Sequence, residues 1–176
     1  GKFINNTAGV QGGAIISKNN YVTTNGTEFI GNKVNSTTEN TSGGAIFTTG
    51  IVNVTNSKFV NNSASATGDN TAFGGAIFSN GAEVQNVSFA NNTATSYGGA
   101  IFINSNNVTI ISSNFDNNTA GAGGAIFTND VNSVINVTDS NFTNNKANVT
   151  TGGAIRSNGE LELNNVNFIN NSAIKS

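Results

Sequence analysis

Apolar residues recur along the chain in short arrangements set between polar turns. One arrangement alternates with a period of two. Counted back from a recurring Phe, the seventh residue is Val22, Val52, Ala82, Val108, Ile135 or Leu161, and the fifth is Thr24, Val54, Val84, Ile110, Val137 or Leu163. The residues between them are mostly polar, as in Asn53, Glu83 and Glu162. Strict alternation marks a strand with one buried face. Three places before each Phe stands Gly26, Asn56, Asn86, Ser112, Asp139 or Asn165, which is turn chemistry.

Two words frame this strand. Gly-Gly-Ala-Ile starts at Gly12, Gly43, Gly74, Gly98, Gly123 and Gly152. Phe-x-x-Asn is led by Phe3, Phe29, Phe59, Phe89, Phe115, Phe142 and Phe168. From Gly-Gly to the next Phe the step is 15 to 19 residues, while from Phe to the next Gly-Gly it runs from 8 to 15. The extra length sits in residues 35–42 and 65–73, as insertions at one corner of a repeating unit. Each unit of about 26 residues therefore holds three short strands and three turns, and no unit can bury its apolar side chains alone. The pattern predicts an all-β fold, a right-handed parallel β-helix: a three-faced solenoid of about six coils, with Val54, Val84, Val137 and Leu163 in one inward row. At roughly 4.8 Å per coil the rod is about 29 Å long. Residues 1–176 read as a single repetitive segment. It opens and closes in the same phase of the repeat, as expected of an internal slice of a longer surface protein whose ends continue or meet another copy.

Each word raises a question of chemistry. The Asn of Phe-x-x-Asn (Asn6, Asn32, Asn62, Asn92, Asn118, Asn145, Asn171) carries a donor and an acceptor, so stacked copies can bond coil to coil; the alternative is contact with a ligand. Gly-Gly marks a corner that needs φ > 0 or close approach between coils. After Gly-Gly-Ala-Ile comes Ile16, Phe47, Phe78, Phe102, Phe127 or Arg156. Neighbours on a strand face opposite sides. With Ile inward, Phe47, Phe78, Phe102, Phe127 and Arg156 form an exposed interaction stripe. With Ala and Phe inward, the Phe residues are ordinary core.

Composition narrows the function classes. Charged residues are only 9%, the net charge is −2, and there is no His, Cys, Met, Trp or Pro. Scattered Lys and Arg give no footprint for nucleic acid. No apolar run approaches a membrane span, so this segment does not insert in a bilayer. The nine acids share no common site, and Glu83 and Glu162, on one repeat position, stand three coils apart. A glycosidase needs its carboxylates much closer. No catalytic group, cofactor or metal is implied. Asn-x-Ser/Thr sequons number fourteen, and five fall just before the ladder Asn, at Asn5, Asn61, Asn91, Asn117 and Asn170. They read either as N-glycosylation sites of an extracellular protein or as a by-product of Asn-rich turns.

The alternation of Gly-Gly-Ala-Ile with Phe-x-x-Asn resembles the repeats of chlamydial polymorphic outer-membrane proteins, and also the adhesin-like surface proteins of methanogenic archaea. The resemblance runs from Phe3 to Ala173. It implies an exported, non-catalytic β-helix at the cell surface, serving as a stalk or binding module for an extracellular protein or carbohydrate. The competing expectations are a structural subunit that assembles end to end with copies of itself, and a carbohydrate-cleaving enzyme.

Overall fold

The computed structural model describes residues 1–175, and these are all strand, turn and bend. Four long parallel sheets run the length of a β-solenoid of about six turns. The first gathers the Phe strands, from Lys2–Ile4 to Asn167–Ile169. The second gathers the strands after the ladder Asn, from Thr7–Ala8 to Ser172–Ala173. The third holds the strands that open with the Ile of Gly-Gly-Ala-Ile, from Ile15–Ser17 to Ile155–Ser157. The fourth holds the alternating strands, from Val22–Asn25 to Glu160–Asn164. Four strand positions per coil thus replace the expected three. The Phe-x-x-Asn word bends at its Asn pair and supplies a strand on either side.

Three left-handed residues turn each coil. They are the first Gly of Gly-Gly (φ +56° to +75°), the residue three before Phe (φ +49° to +59°), and the residue before the ladder Asn (φ +52° to +63°). Asn, Gly, Ser or Asp fills the last two, in keeping with the tolerance of Asn and Asp for this region. The second Gly has a different reason. A Cβ on Gly99 would meet the Gly124 carbonyl oxygen and lie 2.6 Å from Thr119 N, so the backbones of adjacent coils leave no room for a side chain.

Register is in phase from coil to coil. Phe3, Phe29, Phe59, Phe89, Phe115, Phe142 and Phe168 pair in sequence, with ring centroids 4.6 to 5.1 Å apart and planes within 15°. This column forms one core with the Ala and Ile of the Gly-Gly words and the row Val54, Val84, Ile110, Val137. Leu163 pairs with Val137 but is 47% exposed, because only half a coil follows it among the described residues. The two insertions are ordered. Thr41–Ser42 pairs with Ala72–Phe73, and Val34, Ala64, Ala66 and Ala72 pack beneath them as a small satellite core.

Candidate functional site

The ladder asparagines lie at the bend between the first two sheets, and the five from Asn32 to Asn145 are fully buried. Each amide is used on all sides. Asn92 Nδ2 donates to Asn118 Oδ1 at 3.0 Å and to the Phe59 carbonyl at 2.9 Å, and the Asn92 backbone N–H donates to Asn118 Oδ1 at 3.0 Å. Asn92 Oδ1 accepts from the N–H and Nδ2 of Asn62, both at 3.0 Å. The pattern runs from Asn6 to Asn171, with side-chain links of 2.8 to 3.0 Å. Fully engaged in this way, the column holds the coils together and leaves nothing over for a ligand. A shorter hydroxyl ladder stands two residues before Phe, where Ser57, Ser113 and Ser140 receive backbone N–H groups of the preceding coil.

The Gly-Gly-Ala-Ile strand resolves otherwise than simple alternation allows. Ala lies in the bend and the strand opens at Ile, so both Ala45 and Ile46 face the core while Phe47 faces out. The outward Phe residues are nonetheless not an open stripe. Phe47, Phe102 and Phe127 are at most 5% exposed and Phe78 is half-buried. Phe47, Phe78, Phe102 and Phe127 stack with centroids 5.0 to 5.5 Å apart, and Arg156 closes the column with its guanidinium carbon 5.3 Å from the Phe127 centroid.

What covers them is a row that the repeat words miss, the residue just before each Gly-Gly. Gln11, Ser42, Phe73, Tyr97 and Ala122 bridge in parallel from coil to coil. Phe73 sets its ring edge-on against Phe102 at 4.8 Å, and Tyr97 tilts over Phe127 at 4.8 Å. The opposite wall is the position two residues after each of Phe47, Phe78, Phe102, Phe127 and Arg156: Thr49, Asn80, Asn104, Asn129 and Asn158. Between the walls runs a groove of about 830 Å3, floored by the Phe column. From Phe47 to Arg156 it crosses four coil-to-coil steps, roughly 19 Å at about 4.8 Å each. Its lining contains no acid and one base, Arg156. The Asn wall had a signal in the sequence, Asn in four of six copies, but it lies beyond the end of the Gly-Gly-Ala-Ile word.

The remaining candidates stay dispersed. Glu83 reaches Glu162 only through Thr109 and Asn136 on successive coils, and it accepts a hydrogen bond from Asn53 Nδ2 at 2.9 Å. Among the described residues the one ion pair is Lys2–Glu28 at 3.2 Å, and no three acids cluster as metal ligands. Asn5, Asn61, Asn91, Asn117 and Asn170 are exposed and all lie at the left-handed bend, a position held by Gly31 and Asn144 in the other coils. That backbone demand accounts for their recurrence without reference to glycans.

No curated protein and no solved structure matches the chain. Residues 2–18, 86–104 and 112–129 match the model of the Chlamydia polymorphic membrane protein repeat. Each matched segment runs from the Phe strand through the ladder Asn and the Gly-Gly corner to the outward residue of the Ile sheet or just beyond. In its first, fourth and fifth coils, therefore, the chain is similar to the Chlamydia polymorphic membrane protein repeat, and each similar segment spans three of the four strands of a coil.

Proposed function

We propose that the chain is a non-catalytic, adhesin-like element of a cell-surface protein, and that the groove over the outer Phe column is where it meets an extracellular partner. The observation that carries this reading is the groove itself. It is concave, with Phe73, Phe78 and Tyr97 the rings it leaves part-exposed, edged by amides that keep free donors and acceptors at Asn104 and Asn158, and within the usual size of ligand sites. The repeat family, named for a membrane protein, supports display at the surface. The buried Asn and Ser ladders, by contrast, are consumed in holding one coil to the next.

Beads coated with the protein should adhere to a panel of microbial and epithelial cell surfaces. The double variant Asn104→Ala/Asn129→Ala, altered only at exposed positions, should adhere several-fold less. Equal adhesion by the variant would remove the groove from the function.

A further inference from the structure

Resting on the reading of the groove as the contact site, we propose that its ligand is a linear, uncharged glycan lying along the rod, with adjacent hydroxyls on the Asn80–Asn104–Asn129–Asn158 wall. Four properties select this class. The first is the wall itself. A primary amide offers a donor and an acceptor in one plane, which matches a pair of neighbouring hydroxyls. Asn104 gives one N–H to Asn80 Oδ1 at 3.2 Å, and Asn158 gives one to the Asn129 carbonyl at 3.0 Å. Each keeps its second N–H and its carbonyl oxygen.

The second property is charge. The lining has no acid and a single base, Arg156 at one end, so neither a polyanion nor a polycation finds a row of complementary charges there. Third, the geometry disfavours a peptide. Peptides captured by sheets pair with a free backbone edge. Here all strands cross the groove, and the backbone of both walls is spent between coils: Asn104 N to Ser79 O at 2.9 Å, Asn129 N to Ile103 O at 3.0 Å, Tyr97 N to Ala72 O at 3.0 Å. Fourth, the wall repeats once per coil, at about 4.8 Å. An extended chain of β-linked pyranoses advances by a similar distance per sugar, so successive rings can meet equivalent amides over an apolar floor.

Affinity electrophoresis through gels containing mixed-linkage β-glucan, arabinoxylan or galactomannan tests this, with polygalacturonate as the anionic comparator. At least one neutral polymer should retard the protein. Asn104→Ala/Asn129→Ala should weaken that retardation by about tenfold or more, each lost ligand hydrogen bond being worth a large part of that factor. The circular dichroism spectrum of the variant should be unchanged. Retardation by polygalacturonate alone, or neutral-polymer retardation indifferent to the double variant, would overturn the proposal.

Pretreating the target cells in the bead assay separates the two readings. Groove-dependent adhesion abolished by periodate, which cleaves vicinal diols, supports a glycan. Groove-dependent adhesion abolished by protease and untouched by periodate sinks the glycan and leaves the contact site standing. Adhesion independent of Asn104 and Asn129 sinks both.

Discussion

Replacing Asn92 by Asp changes one NH2 group for one oxygen at the centre of the ladder. The two donors of Nδ2, to Asn118 Oδ1 at 3.0 Å and to the Phe59 carbonyl at 2.9 Å, become an acceptor facing two acceptors. Leaving a buried acceptor without its donor costs about 1 to 3 kcal/mol. Asn118 Oδ1 keeps the Asn92 backbone N–H, so the two losses together come to about 2 to 4 kcal/mol. The site is fully buried, so an ionised carboxylate adds a desolvation cost, and the loss at neutral pH is about 4 kcal/mol or more. That is a large part of the stability of an ordinary domain.

The same burial raises the carboxyl pKa of the folded variant above its unfolded value of about 3.9. Between those two values the folded state binds more protons than the unfolded, so the stability of the variant falls as pH rises through that window. Once protonated, the acid regains one donor, and the deficit shrinks to about 2 kcal/mol. Urea unfolding followed by circular dichroism, at pH 7.5 and pH 4, compares variant and wild type under each condition. A midpoint equal to wild type at pH 7.5, or a gap that widens on acidification, would refute the reasoning.

Three further outcomes are expected. Val84→Asp puts an unpaired charge among core residues at a site 2% exposed, and at a cost of several kcal/mol it should unfold the middle coils, read as loss of the β signal. Gly99→Ala should cost about 3 kcal/mol or more, because the new methyl meets backbone that cannot yield; Gly26→Asn should change the unfolding free energy from urea titration by less than about 0.5 kcal/mol, since its Cβ meets nothing within 4 Å and Asn56 holds the same φ region one coil on. If the sequons carry glycans, Asn91 and Asn117 should not both be occupied on one molecule. They stand on adjacent coils, with Asn117 Nδ2 donating to Asn91 Oδ1 at 2.6 Å, a separation narrower than a branched glycan; intact-mass analysis of a variant that keeps only these two sequons, finding doubly occupied molecules, would contradict this.

Sequence periodicity carried the solenoid because the coils stack in phase. A residue type needed once is needed at the same place in every coil, and Phe, Asn and Gly-Gly each answer one local demand. Where a residue answers two demands, the pattern is ambiguous. Ala45 is small because the corner is tight, and it faces inward because it lies in a bend, so alternation counted from it gives the wrong side for Phe47. The groove was less legible still. One wall is contributed by Phe73 and Tyr97, which recur in no other coil, and Phe73 ends an insertion whose pairing with the neighbouring insertion no spacing rule anticipates. The split of the Phe-x-x-Asn word into two strands was hidden because a bend held by a side-chain ladder needs no Gly or Pro.

The ladder amides also share a direction. In every link the NH2 of one coil donates to the carbonyl oxygen of the coil that follows it in sequence, from Asn6 to Asn171. The amide dipoles therefore add along the rod axis, and each bond polarises the next. An aligned chain of this kind is collectively stabilised, so removing one amide weakens the links on both sides of it. The solenoid thus has an electrical sense as well as a sequence sense, and reversing a single amide in the column would set it against all its neighbours.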